Sequence, residues 1–134
     1  MRILGKYPNI RLRRNRKSDW TRRLVSENNL TANDLILPIF ITTGKNKIEP
    51  IKSMPGINRY SVDKITKIVN KANKLNIPLV AIFPQTPNNK KNSMGTEALN
   101  EDNLVCQAIR KIKKNNPNIG IMADVALDPY TDHG

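Results

Sequence analysis

The side chains best suited to chemistry are gathered at the end of the chain. Ala123 to Gly134 reads ADVALDPYTDHG and brings Asp124, Asp128, Asp132 and His133 together within one short stretch. A carboxylate there can position a substrate amine, exchange protons with it, or bind a hard cation. If Asp124 ends a buried strand it needs such a partner, because an unpaired buried charge is costly. The alternative is that Asp124 only caps a following helix or ties down the loop. His133 has no second ligand at helical spacing and reads as a loop histidine. Cys106 lies three residues before Ile109, on the flank of an apolar stripe, where it reads as a small hydrophobe rather than a nucleophile. A second concentration of chemistry is basic: RLRRNRKSDWTRRL, from Arg11 to Leu24, holds Arg11, Arg13, Arg14 and Arg16 with Trp20 as the only nearby ring. This segment could bind phosphates, or it could grip carboxylates and carbonyls of a neighbouring subunit with its arginine forks. It lacks glycine or aromatic interleaving for base stacking, and composition leaves both readings open.

The elements that must position these groups alternate in type. Leu35 to Ile41 (LILPIFI) is apolar on both faces, as a strand covered on two sides must be. Pro38 predicts a strand end, irregular pairing or a bulge. A loop with a tight turn at Met54, Pro55 and Gly56 follows. Val62, Ile65, Ile68, Val69, Ala72 and Leu75 then recur at helical spacing, with Ser61 as expected N-cap and Asp63 in the first turn. Leu79 to Phe83 reads as a second strand. After a polar loop, Leu104, Val105, Ala108, Ile109 and Ile112 mark a second helix, with Asn100 as candidate cap and Glu101 and Asp102 in its first turn. Ile119 to Val125 is the third strand, which puts Asp124 at its C-terminal end.

Strand, helix, strand, helix, strand implies a parallel sheet, and successive right-handed crossovers place both helices on one face. The other face then needs a cover that these elements do not supply. The reading is therefore the front portion of a longer α/β protein. In such architectures the loops after the strands carry the active site.

Composition narrows the classes. The chain has 134 residues, 38% of them hydrophobic, with 23 Lys and Arg against 11 Asp and Glu, for a formal charge of +12. That is enough apolar residue for a core and excludes a wholly disordered chain. Nine basic residues and Asp19 put +8 of the charge in residues 1–23, so the body is only mildly basic. Eighteen asparagines and a Lys excess over Arg point to compositional drift as much as to a polyanion partner. The single cysteine excludes an internal disulfide and a cysteine-pair zinc site, and no apolar run reaches the roughly 20 residues of a membrane span. A cytoplasmic protein is expected.

Four blocks, in order, carry a resemblance: RNRKSDWTRRLVSENNLTANDLILPIFI, SMPGINRY, EALNEDNLVCQAIRKIK and DVALDPYTDHG. Together the sequence resembles the delta-aminolevulinic acid dehydratase (porphobilinogen synthase) family from Arg11 onward. The resemblance implies the N-terminal part, about three β/α units, of a TIM barrel preceded by an extended basic N-terminal arm. It divides the chain into an arm over residues 1–30 and an incomplete barrel over 31–134. The arm, through Arg11, Arg13, Arg14, Arg16 and Trp20, would join subunits into a homo-oligomer, commonly an octamer in this family. The implied reaction is a hydro-lyase step of haem and chlorophyll synthesis: two 5-aminolevulinate molecules condense to porphobilinogen with loss of two waters. The family's two Schiff-base lysines would lie beyond Gly134, so this stretch alone would be inactive. Asp124 matches an acidic active-site residue. Zinc-dependent members carry cysteines at the positions of Ala126 and Asp128, so the resemblance implies the class without catalytic zinc, stimulated by magnesium held outside this stretch. Asp128 remains a candidate contact for a cation or for substrate. The rival reading is a small basic nucleic-acid-binding protein using its arginine-rich arm; the resemblance implies neither a nucleic-acid partner nor a membrane.

Overall fold

The computed structural model describes residues 5–134, so the first four residues of the expected arm lie outside it. Two compact units divide near Leu30. In the N-terminal unit, a 3-10 turn at Arg14–Arg16 leads to helix α1 (Asp19–Leu24). The Thr21 hydroxyl accepts from the Ser18 amide at 3.3 Å and donates to the Ser18 carbonyl at 2.8 Å, which fixes the helix start. Asp19 pairs with Arg23 at 3.0 Å in full view of solvent, a contact of little energetic weight. Neither the turn nor α1 buries a residue, and Leu12, Trp20 and Leu24 stand exposed.

The second unit, Thr31–Gly134, is a five-stranded sheet carrying two helices. Its elements are β1 (Ile36–Thr42), β2 (Ile48–Pro50), β3 (Asn58–Ser61), α2 (Ile65–Lys74), β4 (Leu79–Pro84), α3 (Leu104–Asn115) and β5 (Gly120–Ala123), and the strand order is β2-β3-β1-β4-β5. β3, β1, β4 and β5 run parallel, while β2 pairs antiparallel to β3. Ile39 and Ile41 of β1 and Val80 and Ile82 of β4 point to one side, where Ile65, Val69 and Ala72 of α2 and Val105, Ala108 and Ile112 of α3 close over them. All ten are less than a tenth exposed and form the core. The helices share one face, as consecutive right-handed crossovers require. The alternate residues Ile36, Phe83 and Met122 face the other way and remain half-exposed.

Four local expectations are corrected. Pro38 breaks nothing: the register Leu37↔Val80, Pro38↔Ala81, Ile39↔Ile82 runs through it. β3 joins β1 only from Phe40 onward, so before that point β1 has an open edge, where a residue without an N–H costs no ladder bond. The stretch read as a loop contains β2 and β3, joined around Met54–Gly56; Gly56 has φ +83°, a conformation glycine adopts without steric cost. Ser61 does not cap α2. It ends β3, and its hydroxyl accepts the Lys47 amide at 2.9 Å, leaving a turn before the helix begins at Ile65. Asn103, not Asn100, caps α3, accepting the Cys106 amide at 2.9 Å; Glu101 and Asp102 therefore precede the helix instead of lying in its first turn. Since Asn103 is only 4% exposed, Asn103→Ala is expected to destabilise by about 1 kcal/mol, read as a lowered denaturation midpoint at unchanged m-value.

Candidate active site

The C-terminal ends of β1, β3, β4 and β5 meet at one rim because the four strands are parallel. Asp124 follows β5 directly at that rim. With Ala81, Phe83 and Met122 it lines a cleft of about 220 Å³ on the sheet face opposite the helices. The Asp124 side chain is exposed, so the burial argument for a compelled partner does not apply to it. It is instead an accessible carboxylate beside apolar wall, a placement that suits a ligand amine.

The loop that follows is held by its own residues. Tyr130 and Thr131 are buried; their amides donate to the Leu127 carbonyl at 2.8 and 3.1 Å, and the Asn92 amide donates to the Tyr130 carbonyl at 3.3 Å. Burial, aided by the nearby Cys106 and Glu97, pushes the Tyr130 phenol above its ordinary value, so it stays neutral as an anchor. Gly95, at φ +62°, lets the 92–99 turn approach this loop: a Cβ there would sit 3.4 Å from the Thr131 methyl. His133 reaches the Ser93 carbonyl through Nε2 at 3.3 Å, which makes it a loop tie. Asp128 is exposed within the turn, its carbonyl accepting from Thr131 Oγ1 at 3.4 Å. Asp132 is also exposed, and Cys106 is half-buried on α3. Among the described residues no three of His, Cys, Asp or Glu gather into a metal-binding group.

Lys90 and Glu97 brace the 88–99 segment through a 2.8 Å ion pair. Hydrogen bonding from Lys90, and more weakly from Asn100, outweighs desolvation and holds the Glu97 carboxyl below its usual range. A depressed carboxyl stabilises the fold above its unfolded value and ceases to do so as pH falls through the folded one. An NMR titration of Glu97 is therefore expected to show an acid-shifted midpoint that moves up in Lys90→Met.

A second cleft, of about 280 Å³, shares Phe83 with the first and has Phe40, Arg59, Gln85, Thr86 and Lys91 on its walls. The sequence reading passed over Arg59, Thr86 and Lys91; they lie in segments without periodicity, and only the pairing of β3 with β1 brings Arg59 beside Phe40. The arm residues Arg11, Arg13, Arg14, Arg16 and Trp20 lie in the N-terminal unit, where Arg11 stacks over Tyr7 at 5.4 Å and Trp20 is 63% exposed.

Comparison with known proteins decides the family. The family model described as delta-aminolevulinic acid dehydratase matches residues 9–134. The chain belongs to the delta-aminolevulinic acid dehydratase family. Among its relatives, the delta-aminolevulinic acid dehydratase of Bradyrhizobium diazoefficiens is 54% identical over 93% of this chain and 35% of its own length. That of Chlamydia pneumoniae is 39% identical over 92% of this chain and 37% of its own length. The crystal structure of the Toxoplasma gondii delta-aminolevulinic acid dehydratase, in complex with the reaction product porphobilinogen, superposes with a TM-score of 0.82 at 38% identity, over 92% of this chain and 35% of that one. The chain thus spans about a third of the length of these relatives. The sheet is the N-terminal portion of the dehydratase family's TIM barrel, and the face bearing Ala81, Phe83 and Met122 is the one turned away from the helical layer.

Proposed function

We propose that this chain contributes the arm and first strands of a porphobilinogen synthase, which joins two 5-aminolevulinate molecules into porphobilinogen and releases two waters. The observation that carries the reading is Asp124: in a chain of this family, an accessible carboxylate stands at the C-terminal end of a parallel strand on the face opposite the helices. Its role is to orient the substrate amine and exchange a proton with it. The Schiff-base lysines of the reaction lie outside the segment described, and none of this chain's lysines takes that part. The arm, through Arg11, Arg13, Arg14, Arg16 and Trp20, joins subunits into a homo-oligomer, an octamer in the complete protein. Its exposed apolar and basic side chains support that role. Nothing beyond the arm's charge favours nucleic-acid binding. Among the described residues no helix is long and apolar enough to cross a membrane; we place the protein in the cytoplasm.

Family membership carries dependence on zinc or magnesium. The residues here do not fit a resident zinc site, since the only cysteine lies on α3 and the loop offers Ala126 and the exposed Asp128. Nor do Asp124, Asp128, Asp132 and His133 gather into a metal-binding group. Asp128 is the loop's available contact for a hard cation or for substrate. The expected outcome is that a zinc-selective chelator leaves the rate unchanged while added magnesium raises it. Zinc-dependent turnover would overturn this part of the reading.

The test is porphobilinogen formation from 5-aminolevulinate, followed colorimetrically, by the protein expressed from its complete reading frame and by residues 1–134 alone. The first is expected to turn over and the second to give no product. Absence of product from the former would dispose of the proposed function.

A further inference from the structure

We propose that Asn92 and Gly95, on the loop after β4, are positioning residues that fix where the loop after β5 presents Asp128 to the substrate. The inference rests on the function proposed above and deepens it by giving the neighbouring loop a part.

The loop after β5 has little of its own to hold it where its carboxylates stand. None of residues 124–129 is buried; Val125 is fully exposed and Leu127 60% exposed. Neither Asp124 nor Asp128 is in an ion pair among the described residues. The place of Asp128 is therefore set by β5 on one side and, on the other, by Tyr130 and Thr131, the first buried residues that follow it. Both close a turn around it: their amides donate to the Leu127 carbonyl, and the Thr131 hydroxyl donates to the Asp128 carbonyl at 3.4 Å. Where these two residues rest decides where Asp128 stands.

They rest on the 92–95 turn. The Asn92 amide donates to the Tyr130 carbonyl at 3.3 Å, and two residues beyond Thr131 the His133 Nε2 meets the Ser93 carbonyl at 3.3 Å. Gly95, itself buried, lies so close that a Cβ would stand 3.4 Å from the Thr131 methyl and 3.7 Å from both Leu127 Cδ2 and Tyr130 Cβ. A side chain longer than that Cβ would press the two loops apart, at a φ of +62° that already favours glycine. The shape of the turn depends on Asn92, whose Oδ1 accepts the Met94 and Thr96 amides at 3.1 and 3.2 Å and whose Nδ2 donates to Thr96 Oγ1 at 2.6 Å. The Gly95 amide closes it on the Asn92 carbonyl at 3.2 Å. Asn92 thus shapes the turn, and Gly95 lets it seat. Since residues 124–129 have no buried anchor of their own, a displacement of the turn passes on to Asp128. Misplacing a substrate contact by about 1 Å can cost as much as about 10²-fold in rate.

The experiment uses the protein expressed from its complete reading frame. kcat/KM for 5-aminolevulinate is measured for Asn92→Ala, Asn92→Asp and Gly95→Val, each alone and combined with Asp128→Ala, beside Tm and amide hydrogen exchange over residues 124–134. Asn92→Ala and Gly95→Val are expected to lower kcat/KM by about tenfold and to speed exchange in that segment. In the Asp128→Ala background the same changes should cost less than about twofold, because the group they misplace is already gone. Asn92→Asp keeps an oxygen for the Met94 and Thr96 amides and should stay within about threefold of wild type. Equal fold-losses with and without Asp128 would show a turn that supports the fold alone and would overturn the proposal. So would wild-type kcat/KM in Asn92→Ala, or in Asp128→Ala itself. If Gly95→Val does not fold, Asn92→Ala and its combination with Asp128→Ala decide. If the wild type forms no porphobilinogen, the functional reading fails by itself and hydrogen exchange decides the clamp: faster exchange over 124–134 in Asn92→Ala supports it, and no change overturns it.

Discussion

Asp124→Ala in the complete protein is expected to lower kcat for porphobilinogen formation by about 10²–10⁴-fold while leaving Tm nearly unchanged. The two halves of that expectation have separate grounds. Loss of activity follows from a carboxylate placed at the rim where four parallel strands end, beside a cleft and open to an incoming amine. Preserved stability follows from exposure: Asp124 forms no ion pair among the described residues, so removing it breaks no structural contact of that kind. Asp124→Asn separates the chemical roles. An amide can still hold a substrate amine through its oxygen but cannot accept a proton, so a deficit equal to that of alanine assigns proton exchange, and partial recovery assigns orientation. Kinetics with both variants, beside their melting curves, make the measurement. A kcat within threefold of wild type for Asp124→Ala would remove Asp124 from the mechanism.

How much of this was legible in the sequence depended on whether a feature is carried by periodicity or by pairing. The continuous apolar runs around Ile39, Ile82 and Ile121 announced strands covered on both sides, and Ile65, Val69 and Ala72 announced the face that α2 turns to the sheet. β2 and β3 were invisible because IEP and NRYS contain no apolar run; their strand character comes from hydrogen bonding to each other and to β1. The helix caps moved for a local reason. Ser61 and Asn100 have the right chemistry, but Ser61 is claimed by the Lys47 backbone and Asn100 accepts the Asp102 amide one turn too early. At the rim, Asp124 stood out because it ends an apolar run. Arg59, Thr86 and Lys91 did not, because segments far apart in sequence bring them to one cleft.

The sheet's two faces should respond unequally to substitution, and neighbouring residues of β4 make the comparison. Ile82 is 1% exposed, enclosed between the sheet and both helices. Ile82→Ala removes three carbons from a packed interior that relaxes only in part, so it is expected to cost about 2–5 kcal/mol. Against a total of about 5–15 kcal/mol for a domain, that loss leaves the variant close to unfolding at 37 °C. Phe83, the next residue, points the other way and is 38% exposed, with the Phe40 ring beside it at 5.7 Å between centroids. In residues 1–134 alone, Phe83→Ser should cost less than half as much. It should also reduce aggregation and dye binding, because Ile36, Phe83 and Met122 together present apolar surface that water meets directly. Denaturant titration and light scattering on the two variants read both effects. Equal destabilisation by Ile82→Ala and Phe83→Ser would mean that the second face is covered in solution, and the open half-barrel would have to be replaced by a closed or self-associated form. A markedly smaller cost at Phe83 ties the stability of this segment to its helical side.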